Sequence, residues 1–377
     1  MHDPMRILIC PLNWGLGHAS RDVLVIQKLI GAGHDVILAG DGMPLKFLET
    51  EFPELESIHL PSSIRITYFK HLPAWLKIFI LSPFLLYGFI IERYRLKKIV
   101  RKIRPDVVIS DNRYGLWSEN VKSILITHQC SIKFPGFMKF LEYPAALFIR
   151  LLIEGFDICW IPDYSGPQNL SGDLSHRFPP PSNASYIGPI SRFSMPAMPA
   201  EKAYQTSKAY QTSKTDQTEK LPDADLLILL SGPEPQRTRL EKTVLKQVRT
   251  LAVKTIILQG LPGENETIEM GPYHTMISHL PSRELKGLIQ KTRFIICRSG
   301  YSSIMDLAEL KKKALIIPTP GQTEQEYLAD YLAEKGMFLS CSQHDFDLSA
   351  ALSELEVFEP EFSFASEDYL KKNIEDL

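Results

Sequence analysis

The stretch that most restricts what this chain can fold into runs from Phe294 to Leu332. A short apolar run, Phe294 to Cys297, reads as a buried strand, and Arg298-Ser299-Gly300 turns the chain. Ser302 to Leu310 has helical spacing, with Ile304, Leu307 and Ala308 on one face. A second apolar run, Ala314 to Ile317, stops at Pro318 and Pro320, and another helix is predicted from about Thr323. Strand, Gly/Ser turn, helix and strand make a βα unit. Its turn leaves backbone N–H groups and a helix N-terminus at the carboxyl edge of a parallel sheet, where unpaired donors and the helix dipole both favour negative charge. A phosphate-bearing ligand is the expectation for this edge.

The N-terminal half has the same grammar. Met5 to Pro11 is a continuous apolar strand, of the kind buried on both faces of a parallel sheet. It ends in Asn13-Trp14-Gly15-Leu16-Gly17-His18-Ala19-Ser20-Arg21, and a helix is predicted over Arg21 to Ile30, stopped by Gly31 and Gly33 before the strand Asp35 to Ala39. A basic helix, Arg93 to Arg104, precedes Pro105 to Asp111, a strand with an acid at its carboxyl end. Ser123 to Thr127 ends at His128-Gln129, and Asp157 to Pro162 reads as the last strand of this half. In the C-terminal half Asp225 to Leu230 ends in Ser231-Gly232, with a helix from near Arg239. Thr255 to Gln259 ends in Gly260, a helix spans Glu284 to Gln290, Phe338 to Ser340 is a short strand, and Phe362 to Leu377 a closing helix. The predicted class is α/β, with two doubly wound domains facing a cleft. Their boundaries are read as 1–190, a linker over 191–222, 223–345, and a tail with closing helix over 346–377. The linker holds AYQTSK twice in tandem, from Ala203 and Ala209, without an apolar face, which predicts a surface insertion.

Composition narrows the partners. At 377 residues the chain has room for two domains, and a net charge of -2 gives no reason to expect nucleic acid. Five cysteines lie without paired spacing, so reduced thiols of a cytosolic protein are expected, with no metal ligands. The N-terminus enters a strand without the form of a signal peptide, and Met5 is a second plausible start.

Three of these stretches carry a resemblance. Residues 294–332 resemble the donor-binding segment of GT-B glycosyltransferases, closest to the peptidoglycan lipid-linked N-acetylglucosaminyltransferase type (family 28) and the wider UDP-glycosyltransferase group. Gly15-Leu16-Gly17-His18-Ala19-Ser20-Arg21 resembles the first loop of such enzymes, and Tyr186-Ile187-Gly188-Pro189 their interdomain junction. The resemblance implies two Rossmann-like domains and a UDP-sugar as donor substrate, with no cofactor. It places Ser299, Gly300, Ser302 and Ser303 near the diphosphate, Asp306 at the ribose, and Glu324 and Gln325 at the sugar. Ser231 and Gly232 face the donor, and the loop around His279 and Leu285 holds the base. Three residues beyond Gln325, where that family commonly has Asn, this chain has Leu328, so the resemblance does not name the sugar.

For catalysis the resemblance implies His18 as general base on an acceptor hydroxyl and Asp111 as its orienter, with Gly15 and Gly17 admitting the acceptor. An imidazole near its unperturbed pKa can accept a proton, and a carboxylate on its other nitrogen fixes the tautomer. The alternatives are that His18 is structural and that Asp111 caps a turn with Asn112. His128 and Gln129 are either an acceptor contact or turn residues. Arg237 or Arg298 would neutralise the departing diphosphate, Arg237 being equally readable as a solvated charge at a helix start.

Leu72 to Ile91 is nearly as long and apolar as a membrane span, but Lys77, Pro83 and Gly88 interrupt it, and a basic cluster from Arg93 to Arg104 follows. The pattern fits either a protein lying on the inner, anionic face of the cell membrane or core helices with a solvated basic side. Met138 to Ile153 could share that surface. The expected function is an inverting, metal-independent hexosyltransferase of the cell envelope, cytoplasmic or peripheral on the membrane. It would use a nucleotide-sugar and an acceptor that is a small molecule or a lipid-linked sugar. A non-hydrolysing UDP-sugar 2-epimerase and a non-catalytic, membrane-docked nucleotide-sugar-binding subunit are the alternatives.

Overall fold

The computed structural model describes residues 3–63, 74–134, 136–194, 222–363 and 369–377; the tandem AYQTSK repeat lies outside them. Among the described residues two seven-stranded sheets divide the chain. The first runs in the order β3-β2-β1-β4-β5-β6-β7, all parallel, from β1 (Arg6–Pro11), β2 (Asp35–Gly40), β3 (Ser57–His59), β4 (Val107–Asp111), β5 (Lys122–Ile126), β6 (Ile158–Ile161) and β7 (Ala184–Tyr186). Asp157 to Pro162 is therefore not the last strand of its half. β7 pairs with β6 before the chain leaves, a three-residue strand too short to show periodicity.

The second sheet runs β10-β11-β9-β8-β12-β13-β14, from β8 (Leu226–Leu229), β9 (Thr255–Leu258), β10 (Thr267–Glu269), β11 (His274–Ile277), β12 (Phe294–Arg298), β13 (Ala314–Ile317) and β14 (Leu339–Ser340). β10 alone is antiparallel, hairpinned onto β11 at the edge. In both sheets the order reverses beside the first strand, between β1 and β4 and between β8 and β12. That is the crevice where open α/β sheets bind ligands.

Helices cover both faces: α1 (Gly17–Gly31), α2 (Gly42–Glu51), α3 (Ala74–Ile103), α4 (Glu142–Ile153) after a 3-10 turn (Gly136–Leu141), and α5 (Asp173–His176). The second half adds α6 (Gln236–Val248), α7 (Ser282–Lys291), α8 (Tyr301–Glu309), α9 (Thr323–Glu334), α10 (Leu348–Val357) and α11 (Tyr369–Glu375). Strand residues alternate between the covering layers. Ile7 and Ile9 join the cluster that holds Val23 and Ile26 of α1, while Leu8 and Cys10 face Leu96 and Ile103 of α3. Each such fully buried side chain contributes about 1.5–3 kcal/mol relative to exposure. The apolar stretch and the basic cluster turn out to be one element, since α3 is a continuous helix of 30 residues from Ala74. Among the described residues no helix is long and apolar enough to cross a membrane.

The two sheets are held against each other by specific contacts. Tyr301 Oη donates to the Pro162 carbonyl at 2.8 Å, and the Glu51 carboxylate of α2 accepts from the backbone N–H and hydroxyl of Ser282, capping α7 from the other domain. The closing helix returns to the first domain, where Ser185 Oγ donates to Asn373 at 3.3 Å and Lys122 Nζ to the Leu377 carbonyl at 3.2 Å. Beneath the first sheet a buried ion pair, Arg113 Nη2 to Glu92 Oε1 at 2.8 Å, ties α3 to the loop that follows Asp111.

Candidate active site in the interdomain cleft

The loop after β1 and the loop after β12 meet edge to edge. Gly15 sits at φ +79°, a conformation that needs glycine, and turns the chain into α1. α1 and α8 begin without a side-chain cap on their first-turn N–H groups, and residues of both first turns line the space between the domains. That space is a cleft of about 180 Å³ lined by Gly15, Gly17 and His18 on one side and by Ser231, Gly232, Gly300, Ser302, Ser303, Glu324 and Gln325 on the other. Sequence-predicted residues from both domains thus come together at one place.

At the N-terminal wall, His18 Nδ1 lies 2.9 Å from Asp111 Oδ1. Asp111 is fully buried at the end of β4, and burial alone would raise its carboxyl, but Arg21 and then His18 bring it well below the ordinary carboxylate range. An ionised oxygen at 2.9 Å requires hydrogen on Nδ1 of the ring. Arg21, 2% exposed, makes a two-pronged bond to the same carboxylate through Nε at 2.6 Å and through Nη2. Its Nη1 faces His128 Nδ1 at 3.2 Å. Asp22, one residue further along α1, is buried with both carboxyl oxygens unbonded; burial and then the nearby Asp111 hold its pKa well above the usual value.

His128 reaches across the cleft. Its Nε2 lies 2.8 Å from Glu324 Oε1, Gln129 Nε2 donates to Glu324 Oε2, and the ring stacks on Tyr301 at 4.0 Å between centroids. Burial alone would raise Glu324; His128 in the first place brings it below its ordinary value. Gln325 is held by the Thr319 N–H, which donates to its side-chain oxygen at 2.9 Å, and by Ser299 Oγ, which donates to its carbonyl at 2.8 Å. Ser302 Oγ donates to the Gly17 carbonyl at 2.6 Å.

Three expected donor residues stand elsewhere. Asp306 is buried against the junction, accepting from Ser191 Oγ at 2.7 Å and Arg192 Nε at 2.9 Å, and does not line the cleft. Arg298 turns away from it to bond the carbonyls of Pro318 and Gln236 and the side chain of Gln343, holding three loops together. Arg237 is satisfied along its own helix by Glu234 at 2.8 Å and Glu241 at 2.6 Å, as a helix-start charge. The arginines that do line the cleft are Arg21 and Arg192, the latter just past the Gly188-Pro189 junction. The sequence assigned no role to Arg192 or to Arg21; Gln129 was read together with His128 as an acceptor contact or a turn. Arg21 closes the first-loop motif, which was the available signal; Arg192 had none. His279 also lines the cleft, with burial and then Arg192 pushing its pKa down to about 4, so the ring is neutral. Among the described residues no group of three His, Cys, Asp or Glu side chains could hold a metal ion.

Comparison with known proteins bears on the family and the fold. Residues 236–373 match the glycosyltransferase family 28 C-terminal domain. An uncharacterized glycosyltransferase of Methanosarcina acetivorans is 26% identical over 365 residues, covering 88% of this chain and 84% of the relative. A UDP-N-acetylglucosamine–N-acetylmuramyl-(pentapeptide) pyrophosphoryl-undecaprenol N-acetylglucosamine transferase of Methylorubrum extorquens is 28% identical over 127 residues, 32% of this chain and 31% of that enzyme. The solved spinosyn rhamnosyltransferase complexed with thymidine diphosphate shares the fold with a TM-score of 0.57 at 13% identity, over 99% of this chain and 95% of that one. On the family match, the full-length relatives and the fold together, the chain is a GT-B-fold glycosyltransferase related to glycosyltransferase family 28.

Proposed function

We infer that the protein transfers a sugar from a nucleoside-diphosphate sugar, a UDP-sugar on its resemblance, to an acceptor hydroxyl with inversion at the anomeric carbon. The observation that carries this reading is the meeting, in one cleft, of the His18–Asp111 pair with the uncapped start of α8 at Gly300 to Ser303. The acceptor hydroxyl gives its proton to His18 Nε2 as its oxygen bonds to the anomeric carbon. The bond from that carbon to the diphosphate breaks, and the electron pair leaves with the nucleoside diphosphate. The N–H groups at the starts of α8 and α1, with Arg192, face the charge that develops there. In this reading those groups supply the stabilisation and no metal ion is needed. Thymidine diphosphate in the spinosyn enzyme supports a nucleoside diphosphate as the leaving group. Glu324 and Gln325 would contact the sugar.

The reading extends to a membrane surface. Tyr87, Ile90 and Tyr94 are exposed on one stripe of α3, which continues into exposed Lys97, Lys98 and Arg101. Phe137, Phe140 and Leu151 each stand about 70% exposed on the 3-10 turn and α4 (71%, 71% and 68%). Trp117 links the two, with Arg93 3.4 Å over its ring and Gly155, just beyond α4, packed on its edge. Apolar side chains beside cations fit an anionic leaflet and suit an acceptor that is lipid-linked or lies near the inner face of the membrane.

The test is thermal unfolding with UDP, GDP, dTDP, ADP and UDP-sugars, with and without EDTA. A specific ligand raises the midpoint in proportion to the logarithm of its concentration over Kd. A rise with a UDP species, unchanged by EDTA, is expected; no rise with any nucleotide would remove the donor site and the role given to His18.

A further inference from the structure

The two histidines at the cleft share a single partner. Arg21 bonds Asp111 through Nε and Nη2, Nη2 stands 3.1 Å from His18 Nδ1, and Nη1 stands 3.2 Å from His128 Nδ1. A guanidinium only donates. Facing it, His128 Nδ1 must be the bare, accepting nitrogen, and the proton of the neutral ring sits on Nε2, directed at Glu324 Oε1 at 2.8 Å. His18 has the opposite constraint. Its Nδ1 stands between Arg21 Nη2 at 3.1 Å and an anionic oxygen of Asp111 at 2.9 Å; Nη2 already donates to that oxygen, and the closer, charged acceptor, which His128 lacks at its Nδ1, calls for a proton on His18 Nδ1 and leaves the Nε2 lone pair for the cleft. Neither carboxylate nor guanidinium is free to rearrange, because both are buried. A His128 ring turned over in its stack on Tyr301 would put carbon where Nδ1 and Nε2 stand and lose the contacts to both Arg21 and Glu324.

We propose that Arg21 is a positioning residue that sets His18 and His128 in opposite neutral tautomers and so joins the proton acceptor of the N-terminal domain to Glu324 of the C-terminal domain. The proposal rests on the reading of His18 as base and Glu324 as a sugar contact. Through Asp111, Arg21 keeps His18 Nε2 bare to take the acceptor's proton. Through His128, it makes that ring a donor that, with Gln129 on the other oxygen, aims the Glu324 carboxylate into the cleft. A sugar whose hydroxyls donate to Glu324 would then bind a carboxylate already oriented from the opposite domain, and closing the domains would bring base and donor into register together.

Imidazole ¹⁵N spectra of the histidine-labelled full-length protein, with His18→Gln and His128→Gln for assignment, read the tautomers without any turnover. The expected result is a protonated Nδ1 in His18 and a protonated Nε2 in His128. The same tautomer in both rings, or a protonated Nδ1 in His128, would overturn the proposal. Transfer kinetics separate positioning from mere support of the fold. In His128→Gln an amide N–H stands near the place of Nε2 and can still donate to Glu324, so the donor KM should stay within about threefold. His128→Asn can accept from Arg21 but cannot reach Glu324; loss of a hydrogen bond to a charged group predicts a donor KM about tenfold higher, with a smaller change in kcat. Equal effects of the two substitutions would contradict the proposal. Should no donor be turned over, the glycosyl-transfer reading fails while the spectra still decide the tautomers.

Discussion

Ser302 Oγ donates to the Gly17 carbonyl at 2.6 Å, so the first turn of α8 is seated directly on the first turn of α1. A Cβ added to Gly17 would meet that hydroxyl at 3.2 Å, closer than side chains ordinarily approach. The cleft behind this contact, at about 180 Å³, is smaller than the roughly 300–1,000 Å³ of sites that hold drug-sized ligands. A nucleotide-sugar that needs more room than this is expected to part the Gly17–Ser302 contact as it binds, the domains opening before they close on it.

Ser302→Ala tests that requirement. The substitution removes a cross-domain bond, and it also removes a hydroxyl that the proposed function sets near the diphosphate. Donor association, followed by stopped-flow fluorescence, should become faster, and dissociation faster still. Unchanged association would mean that opening does not limit entry.

Asp306→Asn should cost stability in the absence of any nucleotide. Its carboxylate accepts from Ser191 and Arg192, and burial is the main reason its pKa lies above the ordinary value. An amide satisfies only one of those donors, and about 1–3 kcal/mol of unfolding free energy should be lost. Urea unfolding of both proteins without ligand measures this. A variant as stable as wild type but unable to respond to UDP would restore the ribose-binding role.

Asp22→Asn should stabilise the protein at neutral pH. Unfolded Asp ionises near pH ~3.9. The folded Asp22 holds its proton to higher pH, chiefly through burial and next through Asp111. Above pH ~4 folding therefore takes up a proton, and this residue makes the fold weaker as pH rises, by up to about 1.4 kcal/mol per pH unit until the folded group ionises. Asn has no such dependence. Denaturation at pH 5, 6 and 7 should show the variant's advantage growing with pH; a constant or shrinking advantage would contradict the protonated state.

Arg113→Met alone should cost about 3–5 kcal/mol, because Glu92 is then a buried charge without its partner; Glu92→Leu added to it should recover most of the loss. Chemical denaturation of the two variants separates the cost of an unpaired charge from the value of the pair.

Phe137→Ser with Phe140→Ser should weaken sedimentation with vesicles rich in anionic lipid at least several-fold, with the unfolding midpoint nearly unchanged, since both side chains are exposed. Equal sedimentation of variant and wild type would remove this surface from the account.

What was legible in the sequence follows a physical line. Apolar runs such as Ile7 to Cys10 and Phe294 to Cys297 announced buried parallel strands, because such strands need apolar residues on both faces. Gly and Ser at their ends announced the cleft for the same local reason. The short edge strands β7, β10 and β14 carry two or three residues each, and only β14 had a visible signal. The direction of a long side chain was not legible. Arg298 follows a phosphate-friendly strand end, yet its direction is set by Gln236 and by Gln343, 45 residues away. Asp306 sits one helical turn into α8, yet its partners are Ser191 and Arg192, over a hundred residues earlier. Arg21 stood in plain view in the first-loop motif, but its role depends on Asp111 and His128 at the ends of two other strands.

The central claim is that His18 accepts the proton of the attacking hydroxyl at a nucleotide-sugar site. The most direct measurement is release of nucleoside diphosphate from a panel of UDP-sugars, to water or to added acceptor, by wild type and His18→Ala at equal nucleotide occupancy. The account predicts turnover by wild type and a fall of about 10²–10⁴-fold in the variant with donor binding retained. Turnover unaffected by the loss of His18 would contradict it.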